Sequence, residues 1–151
     1  MCEDIAVTAV QDVLAVVAHS ARALKCTSFE IAAGGIQGDS GDANEQLLNI
    51  RIRSGQTTVG SGGAAVTPVR TGITDAAAGF TARRNDTTQA SAGTIVVHHA
   101  SAWNPRTSWI WVPPEKAIIE LVGGRRLTFA LTEAPITALA VSATMYLEEV
   151  G

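Results

Sequence analysis

The last part of the chain, TALAVSATMYLEEV (residues 137–150), carries an apolar side chain at every second position over most of its length. Side chains alternate between the two faces of a β-strand, so this period predicts a strand with one face on a core. The residues predicted to share that face are Leu139, Val141, Ala143, Met145 and Leu147. A strand this long needs paired neighbours, and the rest of the sequence supplies them.

The same alternation occurs in QLLNIRIRS (residues 46–54) and RRLTFALT (residues 125–132). Their predicted core-facing residues are Leu48, Ile50 and Ile52, and Leu127, Phe129 and Leu131. TIVVHHAS (94–101) and KAIIELV (116–122) add two β-branched runs, and Gly, Asn-Pro and Pro-Pro turns separate the segments. Several short strands with polar turns predict an all-β fold, an antiparallel β-sandwich or jelly roll of about eight strands.

The N-terminal third fits two patterns. A helical heptad is matched by Val7, Val10, Leu14, Val17, Ala21 and Leu24. Valine also recurs at positions 7, 10, 13, 16 and 17, and β-branched residues favour strands. We therefore expect two strands, at about 11–18 and 22–32, with the helix as the alternative.

Between Gly55 and Gly93 the chain is rich in Gly, Ala, Ser and Thr, and it has few large apolar residues. Those that could anchor it are Val59, Val66, Val69, Ile73 and Phe80. Long loops in compact domains are usually functional or ordered by a partner. We expect residues 1–151 to form a single β-sandwich domain, with residues 55–93 inserted between strands as an extended arm along a neighbouring subunit.

Three motifs suggest chemistry but lack what that chemistry needs. GQTTVGSGG (55–63) has the glycine spacing of a P-loop, without its lysine or a following helix. GDSGDANE (38–45) resembles a calcium loop but lacks oxygen ligands at alternate positions, so a turn is expected there. His98 and His99 are expected on opposite faces of a strand, one near the core and one exposed. We expect no catalytic residue, metal or cofactor, and no enzyme activity.

Bulk composition excludes further classes. Net charge is −3 and the 11 basic residues are scattered, whereas nucleic-acid binding usually needs a basic stripe. No apolar run is long enough to span a membrane, and the acidic N-terminus does not resemble a signal peptide. Cys2 and Cys26 lack metal-site spacing and are predicted to be free thiols. The expected place of synthesis is the cytoplasm of a bacterial host, with no nucleic-acid or membrane partner.

All three tryptophans lie in AWNPRTSWIWVPPE (102–115). Trp109 and Trp111 share one face of a short strand, and Ile110 and Val112 share the other. The tryptophans can pack inside the sandwich, form an oligomer or docking interface, or offer a sugar-binding platform. For an interface we take Trp103, Trp109 and Trp111 as candidates, together with the five apolar residues of the 55–93 segment, because tryptophan is favoured in binding hot spots.

The order of these features resembles small capsid decoration or cement proteins of tailed bacteriophages and prophages, over about residues 34–151. The blocks that carry the resemblance are GDSGDANEQLLNIRIRSG (38–55), GSGGAAVTP (60–68), AWNPRTSWIWVPPE (102–115) and APITALAVSATMYLEEVG (134–151). A weaker match lies in TAVQDVLAVVA (8–18). The resemblance implies a β-sandwich virion protein that stabilises the head, and it brings no catalytic residues.

The resulting expectation is a virion structural protein on the outer capsid surface. The resemblance implies that it packs against the major capsid protein and against its own copies, as a homotrimer. The alternative is a receptor- or carbohydrate-binding module of a phage tail or fibre, for which the tryptophan cluster is the motivation. A hydrolase is a third class, but no Ser/His/Asp spacing in the sequence supports it.

Overall fold

The computed structural model describes residues 1–34, 46–72 and 74–150, in which the chain forms strands and no α-helix. The strands are β1 (Cys2–Val7), β2 (Gln11–Val17), β3 (Ala23–Gly34), β4 (Leu48–Thr58), β5 (Ala64–Val66), β6 (Thr81–Asp86), β7 (Ser91–Trp103), β8 (Trp109–Trp111), β9 (Ile119–Leu121), β10 (Arg126–Leu131) and β11 (Leu139–Val150). A short 3₁₀ turn, Glu115–Ala117, joins β8 to β9.

The strands form two antiparallel sheets, which confirms the predicted sandwich. The first sheet has the order β1-β11-β3, and both β8 and β9 pair with the far edge of β3. The second has the order β5-β6-β2-β10-β4-β7. There are eleven strands rather than about eight, because β1, β5 and β6 are additional.

The three additional strands have weak sequence patterns for identifiable reasons. A register shift interrupts the pairing of β1 with β11, and Asp4 there has a φ of 49°. β5 has three residues, and β6 has the polar sequence TARRND. These strands exist because they pair with stronger ones, which is information that local alternation does not contain.

The N-terminal third forms strands, as expected, and not the alternative helix. β2 pairs with β6 on one side and β10 on the other, so its backbone is hydrogen-bonded within the sheet on both edges. Six of its seven residues are buried, which explains why valines appear on both of its faces.

The core lies between the sheets, and its centre is a pair of stacked rings. Phe29 on β3 lies against Phe129 on β10, with ring centroids 3.6 Å apart and planes 14° from parallel. The predicted core faces of β4 and β10 are buried. On β11 the predicted core residues Leu139, Val141 and Ala143 are buried, and Met145 and Leu147 are partly buried. Both cysteines are free and buried, and burial raises the pKa of Cys26 to about 12.

The segment between Gly55 and Gly93 is not one extended arm. It contains the end of β4, all of β5 and β6 and the start of β7, and β6 lies inside the second sheet. Residues 67–72 and 74–80 lie outside the strands. The expectation was wrong here because a strand in the middle of a sheet can be polar when its neighbours provide the apolar contacts.

Gly55 lies within β4, with a φ of +89°, where the register with β7 shifts. A Cβ atom at this position would lie 2.0 Å from the carbonyl oxygen of Thr94, so a side chain cannot be accommodated. The strand continues to Thr58, so Gly55 marks a bulge and not the start of an arm. The expected turn at 38–45 and the candidate residue Ile73 lie outside the described residues.

Replacing Phe129 with alanine is expected to lower the free energy of unfolding by about 3–5 kcal/mol, because it removes the central ring and leaves a cavity. Urea unfolding followed by tryptophan fluorescence measures this loss. The exposed residue Val122 provides the control, since Val122→Ala should change stability by less than about 0.5 kcal/mol. Equal small losses in both variants would contradict the central role of the ring pair.

Candidate functional site: the two edges of the sandwich

The described candidate residues fall at opposite edges of the sandwich. Trp103 is the last residue of β7, and Trp109 and Trp111 belong to β8. Val59, Val66, Val69 and Phe80 belong to the region around β5 and β6. Since β5 and β7 are the two ends of the six-stranded sheet, the structure forms two separate surfaces and no single site.

Trp103 is a core residue, so its assignment to an interface is wrong. Its side chain is 1% exposed, and its indole N–H donates a hydrogen bond of 2.8 Å to the carbonyl oxygen of Thr107. The ring therefore has both its apolar surface and its polar atom satisfied within the chain.

Trp109 and Trp111 are half-buried and face inward. Trp109 contacts Phe29 and Phe129, with ring centroids 6.3 and 6.0 Å apart. His99 on β7 lies 5.5 Å from Trp109 and 6.0 Å from Trp111, measured between ring centroids. The two tryptophans therefore close the core between β8 and β7 and offer little ring surface to a partner.

The exposed apolar surface of this strand belongs to the residues beside the tryptophans. Ile110 is 62% exposed and Val112 is 68% exposed. The alternation of β8 placed them on the face opposite the tryptophans, but they were not chosen as candidates. Their exposure is the signal that sequence reasoning lacked, because both faces of this short strand are apolar.

β7 is a long edge strand without charge or proline, and its register against β4 shifts twice. It pairs with β4 on one side only, and Ile95, Val96 and Val97 are 42–47% exposed. Its thirteen residues include no proline and no Lys, Arg, Asp or Glu. Edge strands usually carry charges, prolines or strong bulges that prevent pairing with other chains, and the Ile95–Val97 part of β7 has no charge or proline. Sequence reasoning identified this strand but gave it no role.

A cleft opens between β7 and the chain from β8 to β9, with a volume of about 490 Å³. Its lining combines polar and apolar groups and comprises His98, His99, Trp111, Pro113, Pro114, Ala117, Ile118, Ile119 and Glu120. Both histidines line this cleft, so the expectation that they point to opposite faces is wrong. The register shift between β4 and β7 near Ile52 and Arg53 is the cause, since a bulge breaks strict alternation.

His98 joins β7 to β4 across this bulge. Its Nε2 lies 2.7 Å from the hydroxyl oxygen of Ser54, and partial burial lowers the pKa of the imidazole. A Ser–His pair suggests nucleophilic catalysis only when a third group orients the histidine. Within the ranges that the structure describes, no carboxylate hydrogen-bonds to His98, and Ser54 is buried within β4.

At the opposite edge, residues 74–80 lie near a part of β11 that β1 does not reach. β1 pairs with residues 139–143 of β11, and further along the carboxylate of Glu149 accepts hydrogen bonds from the Gly79 N–H (3.0 Å) and Arg22 (3.3 Å). Phe80 packs against the core. A groove of about 970 Å³ lies beneath the segment, with Leu14, Val16, Met145 and Leu147 in its lining.

Of the candidate residues at this edge, Val69 has the largest exposure, at 77%. Val59 is exposed and Val66 is half-buried. Phe80 is half-buried against the core and therefore stabilises the segment instead of presenting a contact. The apolar groups that a partner could contact here are thus Val59 and Val69.

The glycine-rich loop at this edge encloses a carboxylate of the chain itself. Asp86 accepts hydrogen bonds from the backbone N–H of Gly63 (3.2 Å) and from the guanidinium of Arg83 (2.7 Å at the shortest). A Cβ atom on Gly60 would lie 2.9 Å from Asp86, and one on Gly63 would lie 2.1 Å from the Arg84 carbonyl oxygen. The glycines therefore permit close packing around Asp86, and they fix the turn that leads into β5.

A second buried carboxylate, Asp12, faces Asp86 across the β2–β6 pair. It accepts hydrogen bonds from Arg53 (2.8 Å) and from the backbone N–H of Ala90 (2.7 Å). Burial raises the pKa of Asp12 to about 6, and the contacts with Ala90 and Arg53 offset only part of that rise. The four charged groups Asp12, Arg53, Arg83 and Asp86 thus connect β2, β4 and β6.

Over the residues that the structure describes, no three His, Cys, Asp or Glu side chains cluster in a way that could hold a metal ion. The same residues contain no helix long and apolar enough to cross a membrane. Comparison with protein-family models, curated proteins and solved structures finds no match to this chain.

The raised pKa of Asp12 predicts how stability depends on pH. The group binds a proton more tightly in the folded chain, at a pKa of about 6, than in the unfolded chain, where aspartate titrates near 3.9. Its contribution is therefore fully present below about pH 4 and is lost as pH rises through about 6.

Urea unfolding between pH 4.5 and 7.5 tests this. The stability of the wild type relative to Asp12→Asn should rise as pH falls, by up to about 2–3 kcal/mol over the full transition. The asparagine variant cannot titrate and keeps the side-chain shape, so other groups cancel in the difference. A difference that stays constant, or that falls toward acid pH, would contradict the raised pKa.

Proposed function

We propose that this chain is a virion structural protein that decorates or cements the capsid of a tailed bacteriophage. It does so by packing against the major capsid protein and against copies of itself on the outer capsid surface. The observation that carries the proposal is the pair of exposed apolar edges at opposite ends of one sandwich. The four sequence blocks that resemble decoration proteins supply the biological setting.

Exposed apolar groups favour such a role energetically. Burial of apolar surface contributes about 25 cal/mol per Å², and this gain must exceed the cost of ordering two molecules. Single exposed apolar residues are ordinary on a protein surface, but a continuous set on an edge strand is typical of an interaction site. Ile95, Val96 and Val97 form such a set on β7, and Ile110 on β8 and Val112 just after β8 are exposed as well.

Two different edges also suit cyclic assembly. A contact between unlike surfaces of two copies leaves one of each surface free, and repetition of that contact closes a ring when the rotation allows it. The homotrimer implied by the resemblance is a ring of this kind. On a capsid, several such contacts per particle add avidity to each weak one.

A receptor- or carbohydrate-binding module is the alternative function. Sugar platforms need an accessible aromatic face, whereas Trp103 is buried and Trp109 packs on Phe29 and Phe129. Trp111 keeps the alternative open because it lines the cleft beside β7. Glycan-array binding that is lost in Trp111→Ala, with the fold retained, would favour this alternative over decoration.

The double variant Ile110→Ser, Val112→Ser should bind phage heads at least tenfold more weakly than the wild type, because it removes exposed apolar surface without touching the core. Binding is measured by cosedimentation of purified protein with expanded heads that lack it. Ile136→Ser is the matched control, since Ile136 is equally exposed but lies on neither edge strand.

Wild-type binding by the double variant would place the head contact elsewhere on the chain. The absence of this polypeptide from gradient-purified particles would refute the decoration function itself. These two outcomes are separate, because particle composition does not depend on which residues make the contact.

A further inference from the structure

β7 has an unused hydrogen-bonding edge as well as exposed side chains. Its backbone pairs with β4 on one side, and no strand pairs with the other side among the described residues. Backbone N–H and C=O groups are strong hydrogen-bonding groups, and a free row of them on an uncharged strand is a template for another strand. The natural occupant of this edge is therefore an extended segment with little charge.

The chain carries such a segment at the opposite end of the same sheet. β5 is the other terminal strand, and residues 67–70 continue from it without pairing to any strand. The combined segment Ala64–Arg70 has the sequence AAVTPVR, in which Arg70 is the only charged residue. The side chain of Val69 in this segment is 77% exposed.

Proline within the segment is compatible with pairing. Backbone groups of successive residues in a strand point to alternate edges, so Thr67 and Val69 can bond to a neighbour while the nitrogen of Pro68 faces solvent. Proline also disfavours helical backbone at Thr67 and keeps the chain extended. It therefore limits pairing to one edge of the segment, which suits a strand at the end of a sheet.

Charge also matches between the two ends. β7 has no charged residue, and neither do residues 64–69, so no like charges meet along the paired strands. The cleft beside β7 has a single carboxylate in its lining, Glu120, and Arg70 is the one cation of the segment. Arg70 donates to the backbone carbonyl of Asp75, and neither Arg70 nor Glu120 has an ion-pair partner within 4.0 Å among the described residues.

We propose that β7 of one copy pairs with Ala64–Arg70 of a second copy, so that the six-stranded sheet continues from copy to copy in a head-to-tail ring. Val69 then covers part of the cleft beside β7, and Arg70 approaches Glu120 of the neighbour. The inference rests on one part of the proposed function, the packing of the chain against its own copies, and it gives that contact a defined geometry.

Pairing of β7 with the Ala64–Arg70 segment of another copy fits the structure better than pairing of two β7 strands with each other. Pairing of two β7 strands about a twofold axis would cover both β7 edges, but it would leave β5, Val69 and Arg70 of each copy uncovered. Such a dimer would also be closed, with no further β7 edge to extend it. The two arrangements predict different behaviour when variants are mixed.

Two blocked variants separate these arrangements. Ile95→Lys, Val97→Lys blocks β7, and Ala64→Lys, Val69→Lys blocks the segment; all four positions are exposed, so the fold should persist. Analytical ultracentrifugation should find the wild type as a closed oligomer and each variant as a monomer. An equimolar mixture should form a one-to-one heterodimer, because one intact β7 and one intact segment remain.

Circular dichroism and urea unfolding confirm that the variants fold, and Ile136→Lys, at neither edge, should assemble like the wild type. A wild-type monomer at about 100 μM, or a mixture that stays monomeric, would overturn the proposal, since even weak specific contacts are populated at that concentration. A dimer formed by the segment-blocked variant alone would instead support pairing between two β7 strands. Head binding is measured separately, so its failure would affect the proposed function and not this contact.

Charge reversal tests the position of Arg70. Arg70→Glu should weaken assembly severalfold, because it places two carboxylates together, and a second change, Glu120→Arg, should restore it. The structural contact of Arg70 with Asp75 cannot account for rescue, since Glu120 takes no part in it. Absence of rescue, with each single variant folded, would overturn the proposed approach of Arg70 to Glu120.

Discussion

The stacked rings of Phe29 and Phe129 hold the two sheets together, and the rest of the fold is arranged around that contact. The pair places β3 over β10, which are inner strands of their sheets. Because the sheets stay open and do not close into a barrel, each must end in edges with free backbone groups. The chemistry of this protein is therefore concentrated at its edges, while the core between them is conventional.

Buried charge has a structural role at one of these edges. Asp12 and Asp86 are fully buried, and each is held by an arginine and by a backbone N–H group. Removing charges from water is costly, so such groups are better understood as fixing geometry than as adding stability. Asp12 fixes Ala90, which directly precedes β7, and Asp86 fixes the turn before β5, whose glycines resemble a phosphate-binding loop but surround this carboxylate. This gives the β5 edge a defined position despite its three residues.

The sequence was sufficient wherever one face of a strand is apolar and the other polar. β4 and β11 have this pattern, and their core-facing residues were predicted correctly. It was insufficient for β6, whose sequence TARRND has no apolar alternation and which is a strand because β2 and β5 pair with it. Bulges were the other limit: the register shift near His98 brings both histidines to one cleft, and no local pattern encodes it.

The candidate surfaces were predicted in part, for a physical reason. Val59 and Val69 are exposed as an interface requires, but Trp103 is buried because its size and its N–H group suit a core position with a backbone acceptor. A tryptophan in sequence indicates large apolar contact area, and it does not indicate whether that contact is with the core or with a partner. For these residues only the three-dimensional packing decides.

The four edges differ in how they are protected, and this difference is the strongest argument that β7 has a partner. β8 is followed, after Val112, by Pro113 and Pro114, which limit its extension. β1 is bulged and carries Glu3 and Asp4. β7 has thirteen residues and no charge, yet it has the longest free edge. The two ends of the six-stranded sheet therefore stay open to strand pairing, β7 along its own length and β5 through residues 67–70, as the proposed head-to-tail contact requires.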